Sequence, residues 1–110
     1  MTNLPLSPAA AGLMRALRAR AGTGRDEILL TRYRSTDWNS LTFLGERHEM
    51  VLQAVGPDAG LLADRIVDKL AEADFSIAGQ IVADIGLAAP LEYGQDGSVG
   101  IRIEALTVAE

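Results

Sequence analysis

One side chain in this sequence titrates near neutrality. His48 is the only histidine, with Glu46 and Glu49 close by. Side chains alternate along a strand, so Glu46 would share a face with His48 and Glu49 would take the other. A carboxylate beside an imidazole can orient it for general acid–base chemistry. His48 and Glu46 are therefore the candidate catalytic pair. Asp84 is an alternative orienting acid, and Arg102 or Arg47 could hold an anionic substrate. The pattern is short, however, and no G-x-S-x-G elbow accompanies it. The favoured reading is a histidine on a solvated strand face or bonded to a backbone carbonyl, in a non-catalytic protein.

A second constellation precedes it in "WNSLTF". Trp38, Ser40 and Thr42 would alternate onto one side of a strand, opposite Asn39, Leu41 and Phe43. An indole beside two hydroxyls could floor a shallow ligand site. The plainer alternative is a tryptophan capping the core edge beside ordinary strand residues, and it is preferred.

Other patterns carry less chemistry. "AGTGR", residues 21–25, places glycines after a helix and before a strand, the reverse of a phosphate loop, so a helix stop is expected. Asp64, Asp68 and Glu72 recur every four residues, a row expected to be a solvated helix face balanced by Arg65 and Lys69. No metal site and no cofactor is expected, since a zinc site needs about three protein ligands and there is one histidine and no cysteine. Arg15, Arg18, Arg20 and Arg25 lack interleaved aromatics for base stacking. With a net charge of −5, nucleic acid is not an expected partner.

The elements that position these residues follow from patterning. Ser7 is an N-cap, Pro8 suits the first helical position, and Ala10, Leu13, Met14, Leu17 and Ala21 form one stripe up to Gly22. "DEILLTRYR" predicts a strand and "STDWNS" a turn. "LTFLGERHEMVLQAV" predicts a second strand with a defect. Leu41 and Phe43 have odd numbers, whereas Met50, Leu52 and Ala54 have even ones. One apolar face cannot change parity without an extra residue, so a bulge or tight turn is predicted at Gly45. Residues 56–75 predict a second helix. "SIAGQIVADIGLAA" predicts a strand with Ile77, Ile81, Ala83, Ile85 and Leu87 inward. Residues 90–97 predict a loop with an Asp96–Gly97 turn, and "SVGIRIEALTV" a final strand in a hairpin with the preceding one.

Together these give a single α+β domain over 1–110, with residues 1–6 expected to be a disordered tail. The order is helix, strand, strand, helix, strand, strand. Two helices would cover one face of a mostly antiparallel four-stranded sheet, a circularly permuted ferredoxin-like layout. The other face would carry Gln80, Val82, Asp84, Arg102 and Glu104, joined by Trp38, Ser40, Thr42 and His48. Trp38, Ser40, Thr42, Asp84 and Arg102 are the candidate ligand-binding residues.

Composition bounds the rest. A chain of 110 residues with 48% hydrophobic content suits one globular core. Absence of cysteine excludes disulfides and thiol nucleophiles and suits a reducing cytoplasm. Arg15 and Arg18 interrupt the N-terminal apolar run, so no membrane span or signal peptide is expected there. Residues 1–47 hold seven arginines and four acids, a net of +3, and the remainder has a net of −8. Self-association through basic and acidic surfaces is one consequence; intermixing in the fold is the plainer one. The expected function is that of a small soluble homodimeric module binding a small molecule or a protein through the open sheet face.

Overall fold

The structure is a computed structural model, and it describes residues 6–22 and 26–110. Residues 1–5 of the expected tail, and Arg25 of the basic cluster, lie outside the described residues. Leu6 packs half-buried against the core.

Helix α1 spans Pro8–Ala21. Ser7 Oγ accepts from the Ala10 N–H, and Gly22 ends the helix in the left-handed region at φ 74°. Strand β1 (Ile28–Asp37) pairs antiparallel with β2 (Gly45–Ala54). Helix α2 spans Ala59–Val67, and a 3-10 turn follows at Leu70–Glu72. Strand β3 (Gln80–Leu87), the two-residue β4 (Glu92–Tyr93) and β5 (Val99–Ala109) complete the chain. The sheet order is β1-β2-β5-β3, with β4 also paired to β5, and every pairing is antiparallel.

This is an α+β fold with two helices and an open sheet of five strands, one more than expected. Nothing in the order conflicts with the permuted ferredoxin-like layout. Both helices bury their stripes on one sheet face. Leu13, Met14 and Leu17 of α1 and Leu62, Ala63 and Ile66 of α2 meet Met50, Leu52, Ile101 and Ile103 in one core. No helix among the described residues is long and apolar enough to cross a membrane.

Four local expectations need correction. The turn after β1 lies later than predicted: Ser35, Thr36 and Asp37 continue the strand opposite His48, Arg47 and Glu46. Residues 38–44 form the hairpin loop, so the parity change is absorbed by the loop, and β2 begins at Gly45. Met50, Leu52 and Ala54 point inward as the alternation requires. A Cβ at Gly45 would lie 2.6 Å from the Trp38 carbonyl oxygen, so only glycine fits this close return.

The second helix is shorter than predicted. It ends at Val67, and Lys69 adopts left-handed backbone at φ 51°. The break carries Leu70 into the core and leaves carbonyls for Arg20, whose Nε donates to Ile66 O at 3.1 Å and whose Nη2 donates to Asp68 O. Asp64, Asp68 and Glu72 therefore do not form a row on one helix.

In β3 the register shifts between Val82 and Asp84, leaving Ala83 as an inserted residue. Val82 thus packs against the core, and Ile81 is 53% exposed. Of the expected inward run, Ile77 and Ile85 are buried and Leu87 pairs with the inward Ile103 at 42% exposure, whereas Ile81 turns outward and Ala83 is the inserted residue. The bulge also moves Gln80 and Val82 off the open face, where they were expected.

Candidate functional site

Alternation along β2 builds the open face. Arg47, Glu49, Val51 and Gln53 point away from the helices. Their neighbours on β5 are Leu106, Glu104, Arg102 and Gly100, and on β1 they are Thr36, Arg34, Arg32 and Leu29. On β3, Ile81 and Asp84 face the same way, opposite Val108 and Leu106. Arg34 Nε lies 3.7 Å from Glu49 Oε2, and Arg102 Nε lies 3.4 Å from Glu92 Oε1. Arg32, Arg34 and Arg102, with Glu49 and Glu104, surround a groove of about 250 Å³ over Val51. Val51, Leu106 and Val108 are half-buried and give this charged surface a partly apolar floor.

His48 is not on that face. It lies on the covered side, 0% exposed, with Nε2 2.8 Å from Thr107 Oγ1. The Tyr33 hydroxyl is 3.5 Å from Nδ1, and the two rings stack at a centroid distance of 6.3 Å. Register explains the assembly, because Tyr33, Ser35, His48, Ala105 and Thr107 all fall on inward positions. Burial pushes the His48 pKa below its ordinary value, and the charge of Glu46 opposes this in part. A neutral imidazole held by a buried hydroxyl is a satisfied core group. Among the described residues, no buried side-chain polar atom lacks a partner.

Glu46 shares the inward face with His48, as alternation predicts, but sits at the rim. Its Oε2 accepts from Ser35 Oγ at 2.7 Å, and no hydrogen bond joins it to the imidazole. Asp37 lies directly across the strands from Glu46. Both border a shallow recess with Asn39 and Gln80. Among the described residues, no group of three or more histidines and acids could hold a metal ion.

Trp38, Ser40 and Thr42 occupy the hairpin loop rather than a strand face. Ser40 Oγ accepts from the N–H groups of Thr42 and Phe43 at 3.2 Å each, so this hydroxyl folds its own loop. Asn39 Oδ1 accepts from the Gly45 N–H at 3.1 Å, and the Trp38 N–H donates to Gly45 O at 2.8 Å. The Trp38 and Phe43 rings stack at 5.6 Å. Leu41 and Leu44 stand exposed beside them. Of the five candidate ligand-binding residues, Asp84 and Arg102 lie on the open face and the other three do not.

Sequence reasoning overlooked Arg32 and Arg34 on the open face and Tyr33 and Thr107 around the histidine. "RYR" at residues 32–34 held the signal: alternation puts both arginines opposite the tyrosine. No protein-family model matches the chain, and a comparison with curated proteins finds no match.

Proposed function

We propose that the chain is a small homodimeric interaction module whose working surface is the open face of the sheet. The observation that carries this reading is the composition of that face. Guanidinium and carboxylate groups alternate over a partly apolar floor on a surface that neither helix covers. Charge and aliphatic area together suit recognition of a protein surface.

Two features support the face over the edges. Edge strands β1 and β3 each carry a register shift, at Leu30/Arg32 and at Val82/Asp84. Bulged edges resist strand-to-strand extension. A face-to-face contact remains available to the same sheet. The absence of cysteine suits work in the cytoplasm.

Acid–base chemistry at His48 has less support. Its ring is sealed in the core and engaged by Thr107. A general base must reach the proton it takes.

Sedimentation equilibrium across the micromolar range tests the reading, with amide chemical shifts followed over the same dilution. Concentration-dependent dimerisation is expected, with shifts clustered at outward residues of β1, β2 and β5. A monomer at high micromolar concentration rules it out.

A further inference from the structure

We infer that the open face binds a second copy of this chain about a two-fold axis parallel to the strands, between β2 and β5. This rests on the proposed homodimer and adds which halves of the face meet. The arrangement of ion pairs carries it. Arg34 with Glu49, and Arg102 with Glu92, neutralise one another within each copy. Arg32, Arg47, Glu104 and Asp84 have no opposite charge within 4.0 Å among the described residues. All four are exposed.

These four groups are sorted in space. Arg32 is on β1 and Arg47 on β2; Glu104 is on β5 and Asp84 on β3. In the order β1-β2-β5-β3, both bases fall on one side of the midline and both acids on the other. The uneven charge of the two sequence halves thus reappears as two halves of one surface.

Two simple two-fold operations stack such a face on itself. An axis across the strands lays β1 on the second copy's β1, placing base on base and acid on acid. An axis along the strands lays β1 on the second copy's β3 and β2 on its β5. The half that holds the unpaired bases then meets the half that holds the unpaired acids, twice per dimer, while Glu49, paired with Arg34, comes over the second copy's Glu104. Arg47 and Asp84 both pair in register with Leu106, so they share a row. Under this operation Arg47 lies over the second copy's Leu106. Across the ~10 Å that separates stacked sheets, it is then offset sideways by about one strand spacing, ~4.8 Å, from the second copy's Asp84, and by about two residues along the strand, ~6.8 Å, from its Glu104. A guanidinium on its long side chain can span either offset. The half-buried Val51, Leu106 and Val108 all lie on the two central strands, beside the axis. Apolar side chains and charges thus alternate along the two strands nearest the axis.

Charge reversal in the full chain, read by sedimentation velocity, tests this. The variants are Arg32→Glu/Arg47→Glu, Asp84→Arg/Glu104→Arg, and all four together. Each double variant alone is expected to weaken dimerisation at least about tenfold, because like charges then face one another. An equimolar mixture of the two doubles, and the four-fold variant alone, are expected to restore the dimer. Restoration also shows that the reversed chains still fold. A wild-type dimer indifferent to the double variants, or doubles that fail to recover on mixing, overturns the axis and leaves a homodimer formed elsewhere. A monomeric wild type overturns the homodimer reading itself.

Discussion

Neighbouring residues of β2 occupy opposite environments. His48, Met50, Leu52 and Ala54 are exposed by no more than 1%, whereas Arg47 and Glu49, between and beside them, stand in solvent. The same division runs through β5, where Ile101 and Ile103 are sealed and Arg102 and Glu104 are not. The covered face uses its imidazole as packing, its pKa lowered by burial and its Nε2 hydrogen-bonded to Thr107. The open face keeps its charges hydrated, and four of them have no opposite charge within 4.0 Å among the described residues. Chemistry-capable residue types therefore mark different things on the two faces. A buried polar group with its bonds made is structure; exposed, spatially sorted charge is surface available to a partner.

The widest separation between the faces should appear on truncating adjacent residues. Leu52→Ala empties a fully buried position and should cost about 2–5 kcal/mol. For a domain of this size, each kcal/mol lowers the melting temperature by roughly 4–8 °C. Val51→Ala, one residue away on the open face, should change stability by less than about 1 kcal/mol. Urea denaturation of both variants measures the difference, and similar losses would contradict the one-sided core.

A smaller effect should distinguish His48 from every charge on the open face. Its folded-state pKa lies below the unfolded value of about 6.5. Below that pH the unfolded chain takes up a proton that the folded chain refuses, so stability falls as pH drops through 6.5 toward the folded pKa. Above pH 7 both states are neutral and the contribution vanishes. Urea midpoints at pH 7.5 and 5.5 should therefore differ in the wild type, and His48→Gln should flatten that part of the profile. Glu46 at the rim partly offsets the effect by favouring the imidazolium. A wild-type profile that is flat, or rises toward pH 5.5, would mean that the ring is solvated.

Much of this division was legible in sequence. The stripe of α1, the inward set Met50, Leu52 and Ala54, and the shared outward direction of Arg102 and Glu104 follow from periods of 3.6 and two. The placement of His48 was legible in the same way and yet obscured. Its parity agrees with Met50 and Leu52, which already assigned it inward. Its charged neighbours in sequence suggested a wet face instead, and its partner Thr107 lies 59 positions away. The bulges were hidden for a related reason. An inserted residue such as Ala83 costs the sequence nothing visible, yet it exchanges every later side chain between faces. The loop at 38–44 was misplaced because its own hydroxyl and amide side chains replace strand pairing, and Ser40 and Thr42 look the same in either role.

The smallest effect is the most discriminating for the open face. Arg34 and Glu49 form an ion pair at 3.7 Å with side chains 75% and 51% exposed. Exposed pairs of this kind contribute about 0.2–1 kcal/mol at most, since water and salt screen them and two long side chains must be ordered. Glu49→Gln should therefore leave the urea midpoint nearly unchanged. It also frees Arg34 beside Arg32, adding one uncompensated positive charge to the basic half. If that half meets an acidic half in the dimer, Glu49→Gln should tighten self-association while leaving the fold alone. Sedimentation of this variant beside the wild type separates the two quantities. A loss of stability with no change in association would make the pair a feature of the fold and remove it from the interface.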